Sequence, residues 1–234
     1  MGKLTGKTAI ITGASSGIGR AAAYALAAEG CNLVLTGRRT ERLEACVQRC
    51  AELGGKAVYY AGDVRLEKTA VKTVALAVET FGKVDILVNN AGIGRMVKLV
   101  DSTAEDYREL TDTNVFSSFL FSKYAVMDML KRREGRIIFV LLVTGHVGHE
   151  DETIYTMTKF AQRGLSQAIS KELAGEGIKT CVVCPSATKT EFEIGFGRTQ
   201  ERVDASNWET PEDVAQGILY ACLANNTVWE IRMR

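Results

Sequence analysis

The chain has 234 residues, of which 46% are hydrophobic and 24% are charged, so it can bury a full core without disulfides or metals. Its formal net charge of +1 gives no general attraction to nucleic acid or anionic lipid, which favours a small-molecule partner. The N-terminus does not resemble a secretory signal and no apolar run reaches membrane-spanning length, so we expect a cytoplasmic protein with no membrane partner.

Apolar strand-like runs alternate with helix-like segments along the whole chain. We predict strands at 8–12, 32–36, 57–61, 85–89, 136–143, 179–184 and 228–233, and helices at 18–29, 41–53, 67–81, 112–133, 153–174 and 211–223. This alternation predicts a parallel sheet, and strands that are apolar on both faces need helices on both sides.

The predicted fold is therefore α/β: a doubly wound parallel sheet of about seven strands (a Rossmann fold) inside a three-layer sandwich. The length suits a single domain over 1–234. The least regular segment, 186–209, is rich in Gly, Thr and charge. We expect it to form a mobile flap over a substrate.

A glycine-rich loop follows the first strand directly and opens a helix. It reads Gly13-Ala-Ser15-Ser16-Gly17-Ile18-Gly19. Backbone N–H groups at a helix N-terminus bind pyrophosphate, and glycine permits the turn and the close approach that this requires. The alternative is a glycine-rich turn without a ligand. The agreement of strand, spacing and helix favours a nucleotide site, so we predict that 1–234 forms a single dinucleotide-binding domain.

The residues at the end of the second strand indicate which cofactor is preferred, because an acidic residue there would bind the 2′-hydroxyl of NAD. The sequence there is Thr36-Gly37-Arg38-Arg39, with no acid. Guanidinium groups bind a 2′-phosphate, so Arg38 and Arg39 favour NADP(H) over NAD(H). The alternative is a solvated basic pair at the start of the next helix.

The six cysteines do not form a metal-binding pattern. Cys181 and Cys184 are three residues apart in a predicted strand, which places their side chains on opposite faces. We interpret all six as reduced structural thiols and predict no metal site.

Several motifs occur together in one order along the chain. They are TGASSGIG at 12–19, Asp63-Val64, Asn89-Asn90-Ala91-Gly92, Asn114, Tyr155-Thr-Met-Thr-Lys159, and Pro185 followed by Thr190. Together they resemble the short-chain dehydrogenase/reductase family over essentially the whole chain. TGRRTERLE and TPEDVA give a looser resemblance to its NADP-dependent 3-hydroxy acid dehydrogenases.

The resemblance implies roles for these residues in cofactor binding. Asp63 and Val64 would hold the adenine ring, and the 89–92 stretch, with Asn90, Ala91 and Gly92, would line the nicotinamide side. Thr190 would bind the carboxamide. Pro185 is followed by Ser186 where the family usually has glycine, so the turn there departs from the family pattern.

Tyr155 and Lys159 lie four residues apart in a predicted helix, so both side chains project from one face. A neighbouring ammonium favours the phenolate, which lets tyrosine exchange a proton with a substrate oxygen near neutral pH. By resemblance, Lys159 would also bind the nicotinamide ribose and Asn114 would hold a water in the proton relay. The alternative for an isolated YxxxK pattern is a surface helix pair.

The residue thirteen positions before Tyr155 is Leu142, where the family places a serine that hydrogen-bonds the substrate oxygen. Loss of one such donor costs roughly a hundred- to a thousandfold in rate. Three explanations remain open. Thr144 could serve a displaced substrate, the protein could have lost efficient chemistry, or the leucine could be a substitution in this sequence. The loop histidines His146 and His149 are weaker candidate donors.

The sequence thus predicts an NADP(H)-dependent oxidoreductase of this family that transfers hydride between nicotinamide and a small alcohol/carbonyl pair. Its alternative is a non-catalytic NADP(H)-binding protein that acts as a sensor or an assembly partner. The resemblance also implies a homodimer or homotetramer formed through the helices near 112–133 and 153–174.

Overall fold

The computed structural model of the chain describes residues 2–142 and 145–233. Within these residues, seven parallel strands form one sheet in the order β3-β2-β1-β4-β5-β6-β7. The strands are β1 (Thr8–Thr12), β2 (Asn32–Gly37), β3 (Lys56–Ala61), β4 (Ile86–Asn89), β5 (Gly135–Val140), β6 (Ile178–Cys184) and β7 (Glu230–Arg232). This arrangement confirms the predicted doubly wound parallel sheet.

The helices of the described residues cover both faces of the sheet. They are α1 (Gly17–Ala28), α2 (Thr40–Glu52), α3 (Glu67–Phe81), α4 (Ala104–Thr111), α5 (Ser117–Met129), α6 (Thr153–Glu172), α7 (Gln200–Asp204) and α8 (Pro211–Leu223). A 3-10 turn at Leu99–Asp101 and a π-helical turn at Asp112–Phe116 complete the set. None of these helices is long and apolar enough to cross a lipid bilayer.

The core has two apolar layers because successive strand side chains point to opposite faces. In β1, Ile11 packs with α1, α2 and α8, whereas Ile10 packs with the layer of α3 and α5. The same alternation places Cys181 in the first layer and Cys184 in the second, as their spacing predicts. All six cysteines are free thiols.

Two predicted elements are wrong at their ends. The strand predicted at 136–143 ends at Val140, because Leu142 has a φ of +152°, which an extended strand does not accommodate. Residue 143 lies outside the described residues. The helix predicted at 112–133 is instead the π-helical turn followed by α5, which ends at Met129. In the π-helical turn the Asn114 carbonyl accepts a hydrogen bond from the Ser118 hydroxyl at 2.8 Å. Side-chain bonds of this kind disturb regular helices.

The sequence analysis did not predict two short helices, α4 and α7. Helix α4 begins at a capping box, in which Thr103 accepts a hydrogen bond from the Asp106 N–H and the Asp106 carboxylate accepts one from the Thr103 N–H. The Thr-x-x-Asp spacing in the sequence could have indicated the start of this helix. Helix α7 lies inside segment 186–209.

The strand order reverses at the centre of the sheet, where β1 has β2 on one side and β4 on the other. In a doubly wound sheet, a crevice forms beyond the carboxyl ends of the strands at this reversal. The loops that follow β1 and β4 meet there, and they carry two of the predicted cofactor motifs.

Candidate active site

The loops after β1 and β4 are hydrogen-bonded to each other around Thr12. The Thr12 hydroxyl accepts hydrogen bonds from the N–H groups of Asn90, at 3.0 Å, and Ala91, at 2.9 Å. The Asn90 side-chain amide in turn donates to the Thr12 carbonyl at 2.9 Å. The glycine-rich loop therefore has a fixed position relative to the 90–92 segment.

Two glycines of the loop have left-handed backbone conformations, with φ of +67° at Gly13 and +50° at Gly17. Gly19 is needed for a different reason, because a Cβ there would lie 2.4 Å from the Gly13 carbonyl oxygen. The absence of side chains at these positions leaves the backbone of the loop open to a ligand.

Gly19→Ala is expected to lower the free energy of unfolding by about 1–3 kcal/mol, because the added methyl overlaps backbone that cannot move freely. It should also weaken nucleotide binding, since the clash is with Gly13 of the same loop. Urea unfolding and nucleotide titration measure the two effects.

Gly175→Ala is the matched control for this substitution. Gly175 is exposed beyond the end of α6, has no positive φ, and an added Cβ there meets no neighbouring atom within 4 Å. This substitution should change the free energy of unfolding by no more than about 0.5 kcal/mol. Equal stability changes in the two variants would contradict the tight packing at Gly19.

The end of β2 places Arg39 against the glycine-rich loop. Its Nη2 donates to the Ser16 hydroxyl at 2.6 Å and to the Ser15 hydroxyl at 3.1 Å. Arg38 is exposed at the rim of the same cleft. The predicted basic pair thus lies beside the loop predicted to bind pyrophosphate.

The end of β3 brings Asp63 and Val64 to this cleft, together with Arg65, which the sequence analysis missed. The Arg65 guanidinium donates to both Asp63 carboxylate oxygens, with distances of 2.6 to 3.1 Å. Hydrogen bonds from Arg65 hold the pKa of Asp63 below its ordinary value, so Asp63 is an ionised acceptor at neutral pH.

Helix α6 carries Tyr155 and Lys159, both almost fully buried. The Lys159 ammonium lies 5.4 Å from the centre of the Tyr155 ring, and its Nζ is 3.4 Å from the Val140 carbonyl oxygen at the end of β5. Burial lowers the pKa of Lys159 to about 8. The ammonium form therefore predominates at neutral pH, but it can lose its proton in mildly alkaline solution.

Asn114 lies behind the cleft rather than in its wall. Its side chain accepts a hydrogen bond from the Ile93 N–H at 2.8 Å and donates to the Ile93 carbonyl at 2.9 Å. It also donates to the Thr158 hydroxyl at 2.9 Å. Asn114 therefore connects the loop after β4 to the helix that carries Tyr155 and Lys159.

Leu142 is partly buried and lines the same cleft as Tyr155. Its positive φ is unusual for a residue with a Cβ. The other predicted substrate residue, Thr144, lies outside the described residues.

Neither predicted loop histidine lines the described cleft. His149 is exposed, whereas His146 lies 2.8 Å from a carboxylate oxygen of Glu230 and 2.9 Å from Arg163 Nη1. Ligand atoms of His146, Cys184 and Glu230 are within 4.8 Å of one another. The Arg163 guanidinium contacts both His146 and Glu230, so a cation already occupies this cluster.

Segment 186–209, which we call the flap, folds into the cleft. Thr190 lies against the glycine-rich loop, since a Cβ on Gly17 would be 3.1 Å from its methyl group. The ring of Phe192 is 5.7 Å from the ring of Tyr155. The flap therefore contacts both the loop predicted to bind pyrophosphate and the predicted catalytic tyrosine.

The flap also inserts a buried carboxylate, Glu193, that the sequence analysis missed. Its side chain is 0% exposed, and one carboxylate oxygen lies 2.9 Å from Arg198 Nε. Among the described residues, neither oxygen accepts a hydrogen bond of good geometry. Burial raises the pKa of Glu193 to about 7, although Arg198 opposes this shift.

The raised pKa makes stability depend on pH in a defined direction. The unfolded chain loses the Glu193 proton near pH 4.5, the ordinary value, whereas the folded chain retains it to about pH 7. Stability therefore falls as pH rises through this window. Relative to Glu193→Gln, the parent protein should lose about 1–3 kcal/mol of unfolding free energy between these pH values.

Urea unfolding at a series of pH values measures this difference. The control is Glu201→Gln, an exposed flap residue whose carboxylate makes no ion pair among the described residues. Because this variant retains Glu193, its stability should fall with pH as that of the parent does. Parallel pH profiles for the parent and Glu193→Gln would contradict a buried carboxyl at position 193.

Most of the predicted site residues line one cleft of about 890 Å³. They are Gly13, Ser15, Ser16, Gly17, Ile18, Arg38, Arg39, Asp63, Val64, Asn90, Ala91, Gly92, Leu142, Tyr155, Lys159, Pro185 and Thr190. Gly19 and Asn114 lie behind its wall. The cleft runs from the glycine-rich loop to the Tyr155–Lys159 pair, which suits an extended ligand.

A family model described as short chain dehydrogenase matches residues 7–201. The chain belongs to the short-chain dehydrogenase family. This membership confirms the resemblance seen in the sequence and the oxidoreductase class. The roles of individual residues, including those at positions 155, 159 and 114, stay predictions.

Similar proteins support the same family over nearly the whole chain. Oxidoreductase UcpA of Salmonella typhimurium is 37% identical over 215 residues, which cover 92% of this chain and 79% of the relative. A short-chain type dehydrogenase/reductase from Mycobacterium marinum superposes with a TM-score of 0.91 at 28% identity, covering 98% and 94% of the two chains. An alcohol dehydrogenase of Thermococcus sibiricus, complexed with 5-hydroxy-NADP, gives 0.87 at 27% identity, covering 97% and 96%.

Proposed function

We propose that this short-chain dehydrogenase is an NADP(H)-dependent oxidoreductase that interconverts a small alcohol and the corresponding carbonyl compound. The observation that carries the proposal is the placement of Tyr155 and Lys159. They lie one helical turn apart on α6 and line the cleft that begins at the glycine-rich loop.

The residues of the cleft fit a dinucleotide. The loop from Gly13 to Gly19 would hold the pyrophosphate at the N-terminus of α1, where backbone N–H groups and the helix dipole favour an anion. The Asn90–Gly92 segment would lie beside the nicotinamide end. When bound, the cofactor supplies or accepts the hydride.

Two arginines at the end of β2 support NADP(H) over NAD(H). Arg38 is exposed at the cleft rim and Arg39 lies against the two loop serines, so a 2′-phosphate there would meet guanidinium groups and no acid from β2. The similar archaeal alcohol dehydrogenase is complexed with an NADP derivative, which favours the same assignment for this chain.

Tyr155 would donate the proton to the substrate oxygen during carbonyl reduction and accept it during alcohol oxidation. The Lys159 ammonium favours the phenolate that remains after donation, because an opposite charge in a buried site stabilises an anion. Asn114 would act as a positioning residue through its bonds to Ile93 and Thr158. Leu142 offers no hydrogen bond to the substrate oxygen, so we expect a reduced rate.

Binding and turnover must be measured separately to test this function. NADPH and NADH binding is measured by fluorescence titration, and turnover is measured with ketones, aldehydes and 3-oxo acids. We expect NADPH to bind more tightly than NADH and at least one substrate to be reduced. Binding without turnover would favour the non-catalytic alternative, and the absence of nucleotide binding would overturn both.

We also propose that the chain forms a homodimer or homotetramer through α5 and α6. Large apolar side chains are exposed on these helices and the turn before them, namely Phe116, Phe119, Met127, Met157 and Phe160. Exposed large apolar side chains on neighbouring helices favour association. Light scattering on the purified protein gives the mass of the assembly, and a monomer at micromolar concentration would contradict this part of the proposal.

A further inference from the structure

One flap residue, Glu191, is paired with two arginines from the end of β2 and the start of α2. Arg39 Nη1 donates to one carboxylate oxygen at 2.6 Å, and Arg42 Nη1 donates to both oxygens at 2.9 Å. These residues are about 150 positions from Glu191 along the chain, so the contact joins the flap to the far side of the cleft.

The same Arg39 is a residue proposed above to bind the 2′-phosphate. Its Nε and Nη2 donate to the hydroxyls of Ser15 and Ser16, and its Nη1 donates to Glu191. All three guanidinium nitrogens therefore have partners, of which one is an anion. Partial burial opposes ionisation of Glu191, but hydrogen bonds from Arg42 and its other neighbours lower its pKa to about 2.

We propose that the Glu191 carboxylate competes with the 2′-phosphate of the cofactor for Arg39, so that a nucleotide with this phosphate displaces Glu191 and releases the flap. A nucleotide without the phosphate leaves the contact in place. This inference rests on the proposed NADP(H) function and makes Glu191 a specificity-determining residue.

The 2′-phosphate can replace the Glu191 carboxylate at Arg39 because the Glu191–Arg39 ion pair is weak. The Glu191 and Arg39 side chains are each 42% exposed, and solvent-exposed ion pairs contribute little to stability. A phosphate carries more negative charge than a carboxylate and offers three oxygens to a guanidinium. The phosphate therefore has the advantage in a direct competition.

Loss of the Glu191–Arg39 contact would also affect the Tyr155 end of the cleft. The next two residues are Phe192, which contacts the Tyr155 ring, and Glu193, which is buried beside Arg198. Displacement of Glu191 thus removes one of the contacts that hold the flap beside the proposed catalytic tyrosine, and it links recognition of the 2′-phosphate to easier opening of the substrate side.

The first test measures binding of two small probes, adenosine 2′,5′-bisphosphate and adenosine 5′-monophosphate, by calorimetry. Glu191→Gln should bind the bisphosphate about two- to fivefold more tightly than the parent does, with no change for the monophosphate. Glu201→Gln, the same change at a flap position whose carboxylate has no ion pair within residues 2–142 and 145–233, should bind both like the parent. An equal gain for both probes would overturn the inference.

A weaker affinity of Glu191→Gln for either probe would also overturn it. That result would mean that Glu191 orders the arginines or binds the ribose hydroxyl, as an acid that selects NAD(H) does.

The second test follows tryptic cleavage of the flap at the exposed Arg202, identified by the masses of the fragments. Adenosine 2′,5′-bisphosphate should accelerate cleavage of the parent, whereas the monophosphate should not. Without any nucleotide, Glu191→Gln should be cleaved about two- to fivefold faster than the parent, because an exposed ion pair contributes only modestly to holding the flap. Slower or unchanged cleavage with the bisphosphate would overturn the release of the flap.

The outcome also separates this inference from the function on which it rests. If the parent binds NADPH but Glu191→Gln gains no affinity for the bisphosphate, the proposed competition by Glu191 is refuted and the proposed NADP(H) function stands. If the parent binds neither NADPH nor the bisphosphate, both the proposed function and this inference are refuted.

Discussion

Replacing Leu142 with serine is expected to raise the turnover number for carbonyl reduction at least tenfold. A serine hydroxyl at this position of the cleft wall would donate a hydrogen bond to the substrate oxygen as negative charge develops there. One such donor is worth roughly a hundred- to a thousandfold in other enzymes, and tenfold allows for imperfect geometry in a backbone shaped around leucine.

Steady-state kinetics with the best substrate of the panel measures this effect. A Leu99→Ser variant is the control, because Leu99 is 66% exposed and is not among the described residues that line the cleft. Its turnover should equal that of the parent. An unchanged rate in Leu142→Ser would mean that the substrate oxygen does not lie between residues 142 and 155.

Tyr155→Phe should lower turnover by about two to four orders of magnitude, because it removes the proposed proton donor and leaves the ring in place. The phenylalanine keeps the packing against Phe192, so the fold and the cleft should be preserved. NADPH affinity should change little, since the glycine-rich loop and Arg39 are untouched.

The loss must be separated from general damage to the protein. Tyr220→Phe makes the same chemical change at a residue of α8 that is 60% exposed, and it should keep the turnover of the parent. Kinetics and fluorescence titration are measured on the same preparations. Turnover near the parent value in Tyr155→Phe would refute the assignment of the proton donor.

The doubly wound parallel sheet and the position of the cleft could be predicted from the sequence because they follow from local patterns. Apolar runs separated by helical segments give parallel strands, and parallel strands bring their carboxyl ends to one edge of the sheet. Gly13, Asn90 and Tyr155 therefore come together although they lie far apart in the chain.

Contacts made by the flap could not be predicted in this way, because they depend on long-range packing that has no periodic signal. Nothing near Glu191 in the sequence indicates that its carboxylate reaches Arg39 and Arg42. Nothing near Glu193 indicates a fully buried side chain. The end of β5 was also missed, since Leu141 and Leu142 continue the apolar run while the backbone at Leu142 turns away.

The two ends of the flap are joined by backbone hydrogen bonds at its base. Lys189 donates to the Glu209 carbonyl at 2.8 Å, and Glu209 donates to the Ala187 carbonyl at 3.2 Å. A loop closed at its root can be lengthened at little entropic cost, since closure depends only weakly on length. Segment 194–208 is therefore a suitable place to transplant loops from related enzymes and so redesign substrate preference without disturbing the sheet.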